Sequence, residues 1–390
     1  MKPTDIGDPE YFHKVVDCQY GCPAHTPVPE YIRLTAAGRY SDAYMVNWES
    51  NVFPGILGRT CDRPCEPVCR RGRVEEEPVA ICRLKRVAAD FKDDVSERMP
   101  GPATTRNGRR VALIGGGPAS LTVARDLAPL GYSLDLYDDQ ALAGGFMRSQ
   151  IPAFRLPVEV LDEEVDYILA MGIDTHFRTY VDSMAALLEQ PYDAIFVGTG
   201  APRGSDLEIP GREECAANIH VGIDWLSSVA FEHISSIGRR VLVLGGGYTA
   251  MDCCRTARRL GGEDVKVVVR SEFAKMKASP WEIEDAQEED IPIFNNHVPK
   301  EFVHEDGQLR GMVFQKVDVV YDDAGKRSLV PTGEEVFFEA DDVLIAIGQD
   351  NAFPWIERDL GIEFGRWDMP VLDETTFQSK LTAARAKLEQ

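Results

Sequence analysis

Six of the nine cysteines in this 390-residue sequence lie within the first 82 residues, and their spacing is the first feature that could do chemistry. Cys18 and Cys22 are four residues apart in VDCQYGCP, and a proline follows the second. Further along, CDRPCEPVC holds three more cysteines at intervals of four residues. A separate sulfur beside a proline, together with a compact group of three, is a common arrangement for holding a 4Fe–4S cube. We therefore predict an iron–sulfur socket in this segment.

Two other interpretations of these cysteines stay open. Disulfide frameworks belong to small secreted domains and are rare in a reducing cytosol. Zinc sites usually pair their sulfurs in C-x2-C knuckles, and the three-residue gaps of CDRPCEPVC fit that spacing poorly. The iron–sulfur interpretation is favoured over both.

The composition bounds the class of protein that carries these cysteines. The net charge of −22 disfavours binding to nucleic acid or to anionic membranes, since phosphate binding needs clustered Lys and Arg. No apolar run is long enough for a membrane span, and the N-terminal stretch MKPTDIGDPEYFHK lacks the apolar core of a signal peptide. We expect a cytoplasmic protein with no nucleic-acid or membrane partner.

Two glycine-rich turns follow the cysteine segment, in RRVALIGGGPAS at 109–120 and RRVLVLGGGYTA at 239–250. In the first, a buried strand runs through three glycines into a helix, where a pyrophosphate can approach the backbone amides closely. Asp138 ends the next strand about twenty residues later, where a carboxylate can bind a ribose hydroxyl. Ser120 occupies the position of the third glycine, and we expect this small residue to be tolerated. The pattern predicts dinucleotide binding.

The second turn has the same pattern, but its following strand ends in Arg270 instead of an acid. An arginine there usually reaches the adenosine ribose or its 2′-phosphate. Two such units in one chain imply two dinucleotides, most simply a flavin and a nicotinamide between which a hydride passes.

The remaining pattern is that of an α/β chain. The sequence predicts helices over 27–50 and 78–95, a linker over 97–108, and strands over 134–138, 193–198, 241–244, 265–269, 312–321 and 343–347.

Several stretches together resemble the small (beta) subunit of glutamate synthase and its relatives, over residues 15 to about 379. They include GCPAHTPVPEYI, NVFPGILGRTCDRPCEPVC, GGFMRSQIPAFRLP, YDAIFVGTGAP, MKASPWEIEDA and LIAIGQ. The resemblance implies two Rossmann-like domains, for FAD and NAD(P), preceded by a helical iron–sulfur domain. It divides the chain into a 4Fe–4S leader at 1–100, an FAD domain at 101–205 and 343–390, and an inserted NAD(P) domain at 206–342.

The resemblance also implies the cofactor sites. FAD would lie at Gly115, Gly117, Pro118, Asp138, Gly145 and Arg155, with Thr199 and Gly200 near the flavin. The nicotinamide nucleotide would lie at Gly245, Gly247, Thr249 and Arg270, with Gly348 marking the return to the FAD domain. By family spacing, Cys22, Cys61, Cys65 and Cys69 would bind one 4Fe–4S cluster. No residue of this chain is expected to act as a catalytic nucleophile.

The leader departs from its relatives, many of which hold a second cluster. Two of that cluster's cysteines are replaced here by Glu10 and His13, while Cys18 and Cys82 are present. Either a second cluster uses these two sulfurs with oxygen or nitrogen ligands, or they are packed thiols. The remaining cysteines (Cys215, Cys253 and Cys254) and the seven histidines are interpreted as structural.

The expected function is that of an electron-transfer flavoprotein subunit, passing hydride between NAD(H) and FAD and single electrons to the iron–sulfur chain of a partner. The partner would be a larger catalytic subunit or a ferredoxin-like subunit of an aldehyde, formate, hydrogen or 2-oxo acid oxidoreductase. One alternative is the glutamate synthase small subunit itself.

Another alternative, from a different class, is a non-catalytic docking or relay subunit. Relatives follow the region of LDETTFQS with a Gly-Asp turn that holds FAD, whereas here the sequence continues as KLTAARAKLEQ. Either the chain is incomplete there or the FAD site lacks a wall.

Two residues after Arg270 suggest which nicotinamide is used. Relatives that prefer NADPH place two arginines in succession there, whereas this chain has Ser271 followed by Glu272. The loss of one guanidinium–phosphate bond, together with the nearby carboxylate of Glu272, predicts a preference for NADH of about one to two orders of magnitude. Lys275 would restore part of the positive charge if the loop folded back.

Overall fold

The computed structural model describes residues 16–322 and 325–379. These residues divide into two compact units. The first contains the chain through Met147 together with 153–180 and 191–198, and the second contains 148–152, 181–190 and the chain from Thr199 onward. Within the described ranges, no helix has the length and apolar character needed to cross a membrane.

The helices are α1 (Asp17–Gly21), α2 (Val28–Ala36), α3 (Tyr40–Asn51), α4 (Pro54–Thr60), α5 (Ile81–Asp90), α6 (Pro118–Leu127), α7 (Phe146–Ser149), α8 (Val158–Leu169), α9 (Met184–Leu188), α10 (Gly222–Ala230), α11 (Tyr248–Arg259) and α12 (Pro280–Glu288). The strands are β1 (Arg110–Ile114), β2 (Ser133–Tyr137), β3 (Asp174–His176), β4 (Ala194–Val197), β5 (Arg203–Gly204), β6 (Ile219–Val221), β7 (Arg240–Leu244), β8 (Asp264–Val269), β9 (Ile293–Asn295), β10 (His297–Glu305), β11 (Gln308–Tyr321), β12 (Arg327–Glu339), β13 (Asp342–Ile345) and β14 (Gln349–Asp350).

Helices α1 to α5 form the leader that carries the clustered cysteines. In α2, the buried residues Val28, Tyr31 and Leu34 recur every three positions, which places them on one face of the helix. The helix predicted over 27–50 is two helices, because Gly38 takes a left-handed conformation (φ +72°) that ends α2. The helix predicted over 78–95 is confirmed in its central part as α5.

The first unit also contains a parallel sheet in the order β3-β2-β1-β4. Strand β1 carries the first glycine turn at its carboxyl end, and four of its five residues are buried. Parallel strands buried in this way are covered by helices on their faces, which suits the apolar run VALI in β1.

The second unit contains a five-stranded parallel sheet in the order β6-β13-β7-β8-β9. Strand β7 leads into the second glycine turn. Strand β13 lies between β6 and β7 and supplies three fully buried residues, Val343, Leu344 and Ile345. Strand β13 is thus part of the sheet that carries the second glycine turn. The predicted boundary between the inserted NAD(P) domain and the second FAD segment, at 342/343, therefore belongs after β13.

A three-stranded antiparallel sheet, β10-β11-β12, belongs to the second unit as well. The sequence predicted only the strand over 312–321, since much of β12 is exposed and polar and gives no clear alternation. This sheet brings the beginning of β12 next to the end of β11, where Tyr321 pairs with Arg327.

Candidate functional site

The first glycine turn is shaped by close contact between two glycine backbones. Gly115 has φ +94° and Gly145 has φ +52°, both in the left-handed region. A Cβ on Gly145 would lie 2.8 Å from the Cα of Gly117, so no larger residue fits there. Helix α6 begins at Pro118 without a side-chain cap. The amides of its first turn are therefore available to an anion.

Asp138, at the end of β2, is only 9% exposed and bonds to this turn. Its Oδ2 accepts a hydrogen bond from the Gly116 amide at 2.5 Å, and its Oδ1 accepts one from the Gln140 amide at 2.7 Å. Burial raises the pKa of this carboxyl above its ordinary value, against the lowering effect of the two amides. The acid predicted to bind a ribose hydroxyl therefore lies beside the turn predicted to bind the pyrophosphate.

Ser120 fits at the third glycine position because the residue packed against its hydroxyl, Gly198, has no side chain. Ser120 is fully buried, and its hydroxyl finds no hydrogen-bond partner among the described residues. A Cβ on Gly198, which follows β4, would lie 2.3 Å from that hydroxyl oxygen. The expected tolerance of Ser120 thus depends on Gly198, a residue that the sequence analysis did not single out.

The other residues implied for FAD fall in both units. Arg155 lies in the first unit, with Gly145, while Thr199, Gly200 and Gly348 lie in the second. The hydroxyl oxygen of Thr199 is buried and has no partner within the described chain. An unsatisfied buried hydroxyl of this kind fits a residue that contacts a bound group.

The second glycine turn has equally strict packing on one side and open space on the other. Gly245 has φ +137°, and a Cβ there would lie 2.1 Å from the carbonyl oxygen of Ala346. Around Gly247, by contrast, a Cβ would meet no atom within 4 Å. Helix α11 begins at Tyr248 without a side-chain cap. Thr249 lies in its first turn, and its hydroxyl accepts a hydrogen bond from the side-chain amide nitrogen of Gln349 at 3.4 Å. The open side fits a phosphate group.

At the end of β8 the side chain of Arg270 is exposed and forms no ion pair with any described residue. Arg327, from β12, donates hydrogen bonds to the hydroxyl of Ser271 and to the carbonyl of Arg270. Sequence reasoning missed Arg327, because β8, which leads to Arg270, and β12, which begins with Arg327, are distant in the sequence.

The predicted cluster ligands are gathered only in part. Cys82 lies near Cys61 and, as the largest influence on it, lowers the pKa of Cys61. The Cys82 Sγ donates to the carbonyls of Leu57 at 3.4 Å and Gly58 at 3.5 Å. Burial, together with the nearby Cys61 and Cys22 sulfurs, raises the pKa of Cys65 to about 12. Among residues 16–322 and 325–379, no three His, Cys, Asp or Glu side chains are placed closely enough to hold a metal ion.

The fourth predicted ligand, Cys69, instead influences Cys18, whose pKa is raised mainly by burial. The cysteine that lies beside Cys61 is Cys82, which was not among the four predicted ligands and is 2% exposed. The donor set is thiol-rich and partly buried, which fits an iron–sulfur cluster. The possible ligands Glu10 and His13 lie outside the described residues.

Glu164 connects the leader to the first parallel sheet through helix α8. Its carboxylate is 1% exposed and accepts hydrogen bonds from the amides of Gly55 (2.6 Å) and Ile56 (3.0 Å) and from the Tyr44 hydroxyl (2.9 Å). Burial raises its pKa to about 7. Because these amides begin α4, and α4 ends one residue before Cys61, Glu164 fixes the helix that leads into the cysteine group.

The three remaining cysteines are packed. Cys253 and Cys254 are fully buried in α11, which confirms their interpretation as structural, and burial raises the pKa of both thiols. Cys215 is 1% exposed and donates to the Gly211 carbonyl at 2.8 Å.

Two known families match the chain over different residues. The pyridine nucleotide-disulphide oxidoreductase family matches residues 109–381, and the family described as dihydropyrimidine dehydrogenase domain II, 4Fe-4S cluster, matches residues 13–96. The glutamate synthase [NADPH] small chain of Azospirillum brasilense is 31% identical, with 92% of this chain and 78% of the relative covered. The chain belongs to the glutamate synthase small-subunit-like family. Members of this family are NAD(P)H-dependent FAD oxidoreductase subunits that carry 4Fe–4S clusters.

Two further relatives extend the family beyond glutamate synthase. The NADP(+)-dependent formate dehydrogenase subunit beta of Moorella thermoacetica is 34% identical, with 85% of this chain and 50% of that relative covered. The NADPH-Fe(3+) oxidoreductase subunit beta of Geobacter sulfurreducens is 32% identical, with 94% and 56% covered. The chain thus spans about half the length of these two relatives.

Solved structures support the fold alone. FprA of Mycobacterium tuberculosis in complex with NADPH aligns with a TM-score of 0.59 at 15% identity, covering 70% of this chain and 76% of that one. Thioredoxin reductase of Lactococcus lactis aligns with a TM-score of 0.53 at 21% identity, covering 70% and 87%. Both alignments agree with the predicted Rossmann-like architecture.

Proposed function

We propose that this chain is an electron-transfer subunit that takes a hydride from NAD(P)H onto FAD and passes single electrons through a 4Fe–4S cluster to a partner subunit. The observation that carries this proposal is the pair of uncapped glycine turns, one beside a buried carboxylate and one beside the exposed Arg270 and the half-buried Arg327. When bound, the flavin supplies the exchange between two-electron and one-electron chemistry. The chain's own residues hold and orient the two nucleotides.

In this proposal the first turn holds FAD. The open amides of α6 receive the pyrophosphate and Asp138 accepts a hydrogen bond from a ribose hydroxyl, with Gly115, Gly117, Gly145 and Arg155 completing the site in the first unit. Thr199, Gly200 and Gly348 are assigned to the flavin by the family resemblance. The unsatisfied Thr199 hydroxyl supports its assignment.

The second turn holds the nicotinamide nucleotide. Gly245 and Gly247 allow its pyrophosphate to approach the amides of α11, and Thr249 lies in the first turn of that helix. Arg270 is assigned to the adenosine ribose or to its 2′-phosphate. The preference for NADH expected from the sequence rests in part on the absence of a second guanidinium. The Arg327 guanidinium, which contacts Ser271 and Arg270, is a candidate for that missing group.

The leader holds the cluster in this proposal, on Cys22, Cys61 and Cys65 with a fourth sulfur. Family spacing assigns Cys69 as that sulfur, and the position of Cys82 beside Cys61 makes it the competitor. Iron content of Cys69→Ser and Cys82→Ser, measured on protein with its cluster reconstituted, decides between them. The variant that loses the cluster identifies the fourth ligand.

The partner is proposed to be a larger catalytic oxidoreductase subunit, or a ferredoxin-like subunit, that handles formate, an aldehyde, hydrogen or a 2-oxo acid. The formate dehydrogenase and Fe(3+) oxidoreductase relatives support a partner of this kind. A glutamate synthase large subunit is the second candidate, supported by the extent to which the Azospirillum small chain is covered.

The test of the proposed function is the cofactor content and dye reductase activity of the purified chain. We expect bound FAD, iron with acid-labile sulfide, and reduction of an artificial dye by NADH or NADPH. Flavin-free protein that cannot be reconstituted with FAD would overturn the proposal in favour of a non-catalytic relay.

A further inference from the structure

The guanidinium of Arg327 lies against Arg270 and Ser271 at the end of β8, although it is distant from them in the sequence. Arg327 begins β12, and its Nη1 lies 3.4 Å from the Ser271 hydroxyl oxygen while its Nη2 lies 3.2 Å from the Arg270 carbonyl oxygen. Arg270 and Arg327 are separated by 57 positions. The antiparallel pairing of β11 with β12 places Arg327 there.

Neither arginine has an acidic counter-ion. Arg270 and Arg327 form no ion pair within the described part of the chain, although the net charge of the chain is −22. Both hydrogen-bond partners of Arg327 are neutral oxygens, and its Nε is buried without a partner among the described residues. Positive charge that is left unbalanced in an acidic protein indicates a site for an anion.

The carboxylate that follows Ser271, that of Glu272, hydrogen-bonds to a tyrosine. The Tyr321 hydroxyl donates a hydrogen bond to Glu272 Oε2 at 2.7 Å. This bond is the largest influence on Tyr321 and raises its pKa above the ordinary value. Among the described residues, Glu272 forms no ion pair with either arginine.

We propose that Arg327, with Arg270 and Ser271, binds the 2′-phosphate of NADPH. This inference rests on the proposed function of the second turn as the nicotinamide-nucleotide site. Ser271 occupies the position where relatives that prefer NADPH have a second arginine, and Arg327 supplies that guanidinium from another strand. The planar guanidinium donates paired hydrogen bonds to phosphate oxygens, and the serine hydroxyl adds a third donor.

The consequence concerns specificity. NADH has no 2′-phosphate, so Arg327 contributes to NADPH binding and little to NADH binding. The preference for NADH predicted from Ser271 and Glu272 loses one of its two premises, the missing second guanidinium, because Arg327 supplies that group.

The test measures binding of 2′,5′-ADP and 5′-AMP to the full chain by calorimetry, comparing the wild type with Arg327→Gln. These probes differ only in the 2′-phosphate. We expect the Kd for 2′,5′-ADP to rise by about tenfold or more in the variant, and the Kd for 5′-AMP to change by less than about twofold. Arg327→Lys keeps the charge but loses the paired geometry and should fall between the two.

Arg310→Gln is the matched control, since Arg310 lies on the same antiparallel sheet and pairs at the surface with Glu305. It should leave both affinities unchanged. With a dye acceptor, Arg327→Gln should lower kcat/KM for NADPH by a similar factor and leave that for NADH intact. Equal effects on the two nucleotides, or no effect on either, would overturn the role of Arg327. If the wild type bound neither probe, the proposed function of the second turn would fail with it.

Discussion

The two glycine turns use nearly the same backbone arrangement and differ at the end of the strand that follows. After the first turn, Asp138 is buried and bonds to the turn itself at Gly116. After the second, Arg270 is exposed and Arg327 joins it from another sheet. Under the proposed function, the glycines admit a dinucleotide at each turn, and the end of the next strand selects which groups of that dinucleotide are recognised.

The difference has an electrostatic consequence. A buried carboxylate accepts hydrogen bonds from neutral ribose hydroxyls and repels a phosphate, whereas guanidinium groups attract one. On this account the first turn is suited to FAD and the second to a nicotinamide dinucleotide with or without its 2′-phosphate.

The largest effect is expected outside both turns, in the leader. Cys65→Ser should remove the cluster and with it nearly all bound iron, because Cys65 lies beside both Cys61 and Cys22. Both turns should keep working, so dye reduction by NADPH should persist while electron delivery to a partner is lost. Iron and sulfide analysis checks the first expectation. Unchanged iron content would remove Cys65 from the ligand set.

Matched substitutions break one turn at a time. In Gly117→Ala and Gly247→Ala the new methyl group meets no atom closer than 3.9 Å, so each variant should fold. The methyl group instead occupies the space through which a pyrophosphate approaches. We expect FAD to be lost from Gly117→Ala only, and nicotinamide-nucleotide binding to fall by about two orders of magnitude in Gly247→Ala only.

Cofactor analysis and calorimetry of both variants measure this. A control is Gly245→Ala, in which the methyl group would collide with the Ala346 carbonyl. That variant should lose stability as well as binding. Loss of FAD from Gly247→Ala with the fold intact would contradict the assignment of FAD to the first turn and of the nicotinamide nucleotide to the second.

A pH effect distinguishes the first unit from the second through Glu164. Its folded-state pKa of about 7 lies above the ordinary value of 4.5, so the folded protein holds this proton over that interval. The contribution of Glu164 to the free energy of unfolding should be largest below pH 4.5 and fall by as much as about 3 kcal/mol as the pH rises through 7. Chemical denaturation at several pH values measures this contribution as the difference between the wild type and Glu164→Gln.

Asp166→Asn is the control on the same helix, because Asp166 is exposed and should leave the pH profile unchanged. A difference between the wild type and Glu164→Gln that stays constant between pH 4.5 and 7, or one that rises, would contradict the assignment to Glu164.

The smallest effect is expected at Asp138. Asp138→Asn keeps a side-chain oxygen that can accept from the Gly116 amide but removes the charge that strengthens a bond from a ribose hydroxyl. FAD affinity should fall by about tenfold, and affinity at the second turn should not change. Fluorescence titration of the apoprotein with FAD measures it. An equal loss at both turns would mean that the substitution acts through general destabilisation.

Much of this architecture could be predicted because its signals are local. Each glycine turn follows an apolar strand and precedes a helix, so both Rossmann-like units follow from short stretches of sequence. The interruption after α2 was missed because one glycine, Gly38, outweighs a continuous helical pattern. Arg327 and Gly198 could not be found in this way, since each acts on a residue that only the tertiary fold brings close.

The cysteine segment shows the same limit. Spacing identifies the compact group of Cys61, Cys65 and Cys69, but it does not show that Cys82 lies beside Cys61. That proximity follows from the packing of α4 against α5, which depends on Gly58, where a Cβ would lie 2.8 Å from the Cα of Arg86.

The central claim is that the two turns bind a flavin and a nicotinamide nucleotide that exchange a hydride. The most direct test is an anaerobic titration of the purified chain with NADPH, followed by visible absorbance, on the wild type and on Gly247→Ala. The account predicts oxidised-flavin bands in both proteins, bleached by stoichiometric NADPH in the wild type and persisting in the variant. Flavin bands that NADPH and NADH both fail to bleach in the wild type, or bleaching that is equally efficient in Gly247→Ala, would contradict it.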